Sequence, residues 1–167
     1  MPRMGIRQFE NGMAFEHTEP LLRFCPLESR HECAWLELWR AYLEFYEAEI
    51  EDRVTTNTWR MIIQPQSPML GFGAECKGEL LGFATVSVHD RAWSQTPAAY
   101  LEDLFVAEEA RGCGVGRCLI GSVLNLGHEC GWSAVYWHTR ADNHRARILY
   151  ESFVEAEDVI RYSVPVG

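Results

Sequence analysis

The stretch that decides the fold is Tyr100-Leu-Glu-Asp-Leu-Phe-Val106, running straight on into Ala107-Glu-Glu-Ala-Arg-Gly-Cys-Gly-Val-Gly116. Apart from Glu102-Asp103, the first seven residues are aromatic or aliphatic, the composition of a buried strand. Arg111, Gly112, Gly114 and Gly116 then lead into Val115, Cys118, Leu119, Val123 and Leu126, which recur with helical period. Strand, glycine turn and helix N-terminus together predict a cradle of outward N–H groups at the positive end of a helix dipole, suited to a phosphate. Glycine serves such a cradle because a Cβ would hold the backbone away from the anion or force an unfavourable φ.

Familiar nucleotide motifs do not fit it. A Walker loop ends Gly-Lys-Ser/Thr, whereas Gly116 is followed by Arg117 and Cys118. The dinucleotide fingerprint sets its third glycine three places after the second, and here the glycines alternate. A second stretch bears on the same question: Trp137-His-Thr-Arg-Ala-Asp-Asn143-His-Arg-Ala146-Arg-Ile-Leu-Tyr150. Asn143 and Tyr150 stand two helical turns apart, so a helix carries both on one face with Ala146 between them. A small residue between two polar ones lets a thin ligand run close to the helix. The bland alternative is Asn143 as a plain N-cap and Tyr150 as a core aromatic.

Arg-Gly-x-Gly-x-Gly after a strand ending Leu-Phe-Val, joined to Asn-x-x-Ala-x-x-Leu-Tyr, resembles the GNAT superfamily of N-acetyltransferases over roughly residues 20–164. The resemblance implies acetyl-coenzyme A as co-substrate. It gives main-chain groups of Leu104, Phe105 and Val106 to the pantetheine, where that strand splays from its neighbour. Arg111, Gly112, Cys113, Gly114, Val115, Gly116 and Arg117 would hold the pyrophosphate. Asn143 and Ala146 would line the pantetheine arm, with Tyr150 facing the sulfur. Tyr-Leu-Glu-Asp-Leu-Phe-Val is similar to the spermidine/spermine, small-amine branch, in which the first acidic residue, here Glu102, contacts the substrate. One departure is Ser152-Phe-Val-Glu-Ala-Glu-Asp, which lacks the Gly-Phe many members carry and precedes one strand instead of two. That leaves open the shape of this side of the acceptor site and the dimer contact.

The rest of the chain bounds the answer. Its 167 residues, 47% hydrophobic, suit one domain, expected over residues 20–167 behind a flexible leader, residues 1–19. A formal charge of −9 disfavours nucleic acid and anionic membrane as partners and favours cations. No apolar run is long enough to span a membrane, and Met-Pro-Arg-Met-Gly begins no signal peptide. Cys25, Cys33, Cys76, Cys113, Cys118 and Cys130 form no Cys-x-x-Cys pair and are read as reduced thiols of a cytoplasmic protein. His31-Glu32 and His128-Glu129 are each followed by Trp where a zinc motif needs His, so no metal is expected.

Pattern along the chain predicts an edge strand at Leu21–Leu27 and a helix opening at Glu28 or Ser29 with a wide apolar stripe. A second helix is expected over Thr55–Ile63 with threonine capping. Strands are expected at Met69–Glu75 and Leu80–His89 around a glycine hairpin. The glycine-loop helix should run to Cys130 and stop at Gly131, followed by a strand at Ser133–His138. A helix capped at Asp142 or Asn143 and a last strand at Val159–Val164 complete the order. That order makes the fold class mixed α/β, and the resemblance implies its GNAT-like form, a central, mostly antiparallel sheet flanked by helices and splayed at the central strand.

Amine attack on a thioester needs a base, because a primary ammonium has a pKa of about 10.4. Glu102 is the candidate base, acting through a water, and strand alternation sets Tyr100 and Leu104 on its face with Asp103 opposite. Tyr150 is the candidate acid for the leaving thiolate. Tyr46 and Glu47, near the acidic end of the first helix (Glu44, Glu47, Glu49, Glu51, Asp52), join Glu102 as candidate acceptor contacts. The expected activity is acetyl transfer to a small cationic amine, and the resemblance implies a homodimer. Alternatives are a protein-lysine or N-terminal acceptor, or a non-catalytic acyl-coenzyme A sensor.

Overall fold

The computed structural model describes residues 22–166, which fall into two compact units meeting at Tyr136/Trp137. In the first, β1 (Leu22–Pro26), β2 (Met69–Cys76), β3 (Glu79–His89), β4 (Ala98–Val106) and β5 (Val135–Tyr136) form one sheet in that spatial order. The first four are antiparallel, and β5 runs parallel to β4. Helices α1 (Glu32–Phe45) and α2 (Asp52–Ile63) precede β2, and α3 (Val115–Glu129) joins β4 to β5. In the second unit α4 covers His144–Glu151, and residues 152–166 contain no helix or strand.

Two apolar layers sandwich the sheet. Val115, Leu119, Ile120 and Val123 recur along one stripe of α3 and are all buried. A fully buried side chain of this kind contributes about 1.5–3 kcal/mol. Gly82 sets how close α3 comes: a Cβ there would lie 2.6 Å from Phe105 O and 3.2 Å from Val115 Cγ1. The helix start is thereby pressed onto β3 and β4. On the opposite face Trp35 of α1 packs against Trp39 at 5.2 Å, Trp59 of α2 at 4.9 Å and Phe83 of β3 at 6.1 Å. Offset and edge-on aromatic contacts of this kind make a rigid base for whatever α1 carries.

Several boundaries differ from the sequence pattern. A short 3₁₀ turn, Ser29–His31, precedes α1. Helix α2 starts at Asp52 with Glu51 as its N-cap, so Thr55 lies inside it and accepts from Trp39 Nε1 at 3.1 Å instead of capping. The hairpin turn is Lys77-Gly78, both at positive φ, which matches the twist of the strands it joins. The strand expected at Ser133–His138 is only two residues long, and none forms at Val159–Val164. Apolar alternation describes a side-chain surface, whereas a strand also needs a neighbouring backbone in register. Residues 1–21, with the expected leader, lie outside the described residues.

Candidate active site

The glycine loop forms as its sequence demands. Gly112 and Gly114 adopt φ of +87° and +82°, conformations an L side chain rarely takes. A Cβ at either would meet nothing within 4 Å, so here φ, not crowding, requires glycine. Gly114 is the N-cap of α3, and Cys118 N–H is the first to bond inside the helix, to Gly114 O at 2.9 Å. The amides of the first turn, from Val115 on, have no carbonyl one turn earlier within the helix and point along its axis. An anion fits that arrangement without any side chain. Cys113 and Arg117 are exposed, Val115 is buried and Gly116 is half-buried. Arg111 lies against the rings of Phe45 and Phe105, at 5.8 and 5.5 Å, and donates from Nε to Val106 O at 3.1 Å. It ties the loop to α1 and to the end of β4.

Beside the loop, β4 departs from regular pairing. Thr85 faces Asp103, but Val86 faces Leu101, so Glu102 is the extra residue of a β-bulge. The bulge overturns the expected alternation. Tyr100 pairs with Ser87 and Leu104 with Ala84, which places these two on opposite faces. Glu102 is exposed, Leu104 and Val106 are half-buried and Phe105 is buried. The parallel ladder to β5 consists of Ala99–Val135 and Tyr100–Tyr136, while β4 continues to Val106. An extra residue breaks the even repeat a parallel ladder needs, and the ladder ends just before it. Leu104, Phe105 and Val106 lie on β4 beyond the two residue pairs of that ladder.

Asp103 was not among the sequence candidates, and the structure gives it the more unusual surroundings. It is half-buried opposite Thr85, with Tyr42 of α1 facing it. Burial pushes its carboxyl up. The Tyr42 hydroxyl pulls it part of the way back, and the charge of Glu102 pushes it up again. The available signal was two adjacent acids in an otherwise apolar strand. Tyr42 ring contacts reach Phe83 at 6.0 Å, Phe105 at 5.9 Å and Tyr46 at 5.0 Å. Tyr46 is the C-cap of α1, and Glu47 follows at φ 51° with its side chain exposed.

In the second unit Asn143 is the N-cap of α4. Its Oδ1 accepts from Ala146 N at 3.3 Å, and its Nδ2 donates to Thr139 Oγ1 at 3.1 Å. Tyr150, half-buried near the end of α4, lies edge-on to Trp137 at 5.5 Å. Asn143, Ala146 and Tyr150 thus sit along one short helix, as their spacing predicts.

One buried cluster carries no sequence motif because its members are far apart in the chain. Cys25, His31 and Glu75 are all buried, with ligand atoms within 4.8 Å of one another. Their bonding does not suit a cation. His31 Nδ1 accepts from Glu28 N–H at 2.8 Å, so Nε2 carries the proton and gives it to Glu75 Oε1 at 2.9 Å. Arg23 and Arg30 also pair with Glu75. Burial would raise the Glu75 carboxyl, but bonds from Arg23, His31 and Arg30 outweigh it and hold it at about 2. Burial pushes the Cys25 thiol up to about 11, away from thiolate chemistry.

Comparison with known proteins identifies the family. Residues 33–154 match the acetyltransferase (GNAT) family. A D-amino-acid N-acetyltransferase of Saccharomyces cerevisiae is 37% identical over 139 residues, covering 81% of this chain and 86% of its own. An aminoglycoside N(6′)-acetyltransferase of Stenotrophomonas maltophilia is 29% identical over 94 residues, 53% of this chain and 61% of its own. An aminoglycoside N-acetyltransferase solved with coenzyme A superposes with a TM-score of 0.74 at 24% identity, covering 89% of this chain and 97% of that one. The chain belongs to the GNAT acetyltransferase family, and its activity is that of an acetyl-coenzyme A-dependent N-acetyltransferase. These relatives, by name, act on D-amino acids and aminoglycosides, so the resemblance to the spermidine/spermine branch in particular is not supported.

Proposed function

We propose that this chain transfers the acetyl group of acetyl-coenzyme A to the primary amine of a small molecule, by direct attack of nitrogen on the thioester. The observation that carries the reading is the positive-φ glycine loop capping α3 directly after a bulged β4. In this reading the amides from Gly112 to Arg117 bind the pyrophosphate, and the main chain of Leu104–Val106 pairs with the pantetheine and donates toward the thioester oxygen. Asn143 and Ala146 accompany the pantetheine arm. Tyr150 gives a proton to the departing thiolate; a phenol of pKa about 10 is close enough to a thiol of about 8.5 for that transfer. Glu102, Tyr46 and Glu47 meet the acceptor, whose positive charge suits exposed carboxylates and a −9 chain.

The acceptor class is a small amine: a D-amino acid, an aminoglycoside or another cationic amine. The S. cerevisiae relative favours the first by its coverage of both chains. Homodimerisation follows the family resemblance, and exposed Ile160, Tyr162 and Val164 give apolar surface for it. Six cysteines without a disulfide support a cytoplasmic setting.

Thiol release measured over a panel of D-amino acids, aminoglycosides, polyamines and lysine peptides tests the reading. Turnover with a small amine is expected. Tight coenzyme binding without turnover of any amine would establish a sensor instead, and peptide-only turnover a protein acetyltransferase. Tyr150→Phe should lower kcat about 100-fold while leaving acetyl-coenzyme A affinity within about twofold. An equal loss in both would reduce Tyr150 to packing.

A further inference from the structure

We propose that Asp103, oriented by Tyr42, takes the proton from the acceptor's ammonium, while Glu102 beside it only holds the acceptor's charge. The inference rests on the acetyl-transfer reading above and assigns that reaction its base. The bulge gives two adjacent carboxylates different places in the ladder, Asp103 paired across from Thr85 and Glu102 left out of the register. Glu102 is the extra, exposed residue, and Asp103 turns to the face covered by α1. There it meets Thr85 and Tyr42, and the Tyr42 ring is fixed by Phe83 and Phe105. Asp103 also follows the end of the β4–β5 ladder and immediately precedes Leu104, whose main chain the reading gives to the coenzyme.

A base for this step must be withdrawn enough from water to want a proton, yet still reachable. Asp103 is half-buried, and burial raises its carboxyl from the ordinary range. The groups about it are Tyr42 from α1, Thr85 across the ladder on β3 and Glu102 on its own strand. Arg111 lies against Phe45 and Phe105. Glu102, exposed, keeps its water and serves as a counter-charge.

The step balances. One N–H bond of R–NH₃⁺ breaks, its electron pair stays on nitrogen, and the proton passes to an Asp103 carboxylate oxygen, directly or through one water. Nitrogen attacks the thioester carbonyl carbon, and the C–S bond breaks as the carbonyl re-forms. Tyr150 gives its proton to the coenzyme thiolate, the second proton leaving nitrogen restores the phenol, and Asp103 then releases the first to solvent. The products are R–NH–acetyl, the free thiol and one H⁺.

The test follows kcat/KM for the acceptor against pH in the full chain and in Asp103→Asn, Tyr42→Phe and Glu102→Gln, with acetyl-coenzyme A affinity measured alongside. Asp103→Asn should lose about 100-fold or more and abolish the ascending ionisation, with coenzyme affinity within about twofold. Tyr42→Phe removes a donor to the carboxylate and should move the ascending limb to higher pH. Glu102→Gln removes a like charge; it should move the limb slightly lower and raise KM. Where Asp103→Asn fails to fold, the opposite shifts of the other two variants decide the matter. An unchanged profile in Asp103→Asn, or an ionisation lost only in Glu102→Gln, overturns the assignment and leaves acetyl transfer standing. A wild-type chain that binds the coenzyme and turns over no amine defeats the underlying reading itself.

Discussion

Glu75 and Asp103 are carboxylates of the same sheet, both withdrawn from water, and their surroundings drive them in opposite directions. Glu75 is 3% exposed and is met by Arg23, Arg30 and the proton of His31, which hold it ionised. Asp103 is met by the Tyr42 hydroxyl and by another carboxylate, and burial pushes it up. One environment supplies every charge its acid needs, so the acid has no reason to change state. The other under-supplies it and leaves a proton acceptor. Burial alone does not mark a functional acid; the neighbours decide whether it is finished as structure or left reactive.

The largest effect expected from this contrast is on stability. Glu75→Gln leaves His31 buried without its acceptor charge and two guanidinium groups without a partner. It should cost about 3–4 kcal/mol of unfolding free energy in urea, near the low end for breaking a buried pair because both arginines are half in water. Activity of the folded fraction should stay within about twofold. Asp103→Asn should do the reverse, changing stability by about 1 kcal/mol or less while activity collapses. If both variants unfold the chain equally, the distinction fails.

Acid titration separates them by sign. Glu75 sits at about 2 when folded, against an ordinary 4.5, so its contribution is present above pH 4.5 and is lost as pH falls through 2. The loss should be on the order of 3 kcal/mol and should vanish in Glu75→Gln. Asp103 is raised on folding, so it acts the other way: stability falls as pH rises through the window just above the ordinary carboxylate range. Urea midpoints measured across pH 2–7 in the two variants read the two slopes directly.

Which of these features could be read in sequence follows from how local each one is. Strand, glycine loop and helix occupy consecutive residues, and each step is dictated by pattern, φ or capping, so their order over 98–130 is as expected. The Lys77-Gly78 hairpin and the Asn143 cap are equally local. The bulge was not legible, since one extra residue leaves alternation intact to the eye and shows only in the Thr85/Val86 register. The Glu75 knot depends on β1 pairing Arg23 against Glu75 and on a 3₁₀ turn bringing up His31. The strand expected at Val159–Val164 had the right side chains, but a ladder needs a second backbone that no side-chain pattern specifies.

A third carboxylate extends the contrast from charge to backbone, with the smallest expected effect. Helices α1 and α3 end in the same way. Ala48 N–H returns to Leu43 O and Glu47 N–H to Glu44 O, just as Trp132 returns to Gly127 and Gly131 to His128. The left-handed position is glycine in α3, at φ 68°, but glutamate in α1, at φ 51°. A side chain there costs roughly 1 kcal/mol, and among the described residues Glu47 makes no compensating bond beyond those of its main chain that any residue would make. Glu47→Gly should therefore stabilise the chain by about 0.5–1 kcal/mol in urea, the gain trimmed by the greater freedom of unfolded glycine. If that strain is tolerated because the carboxylate meets the acceptor, KM for a cationic amine should rise about fivefold, equivalent to roughly 1 kcal/mol, with kcat unchanged. A stability gain with KM unmoved would take Glu47 out of the acceptor site and leave the Glu102–Asp103 pair to recognise the amine.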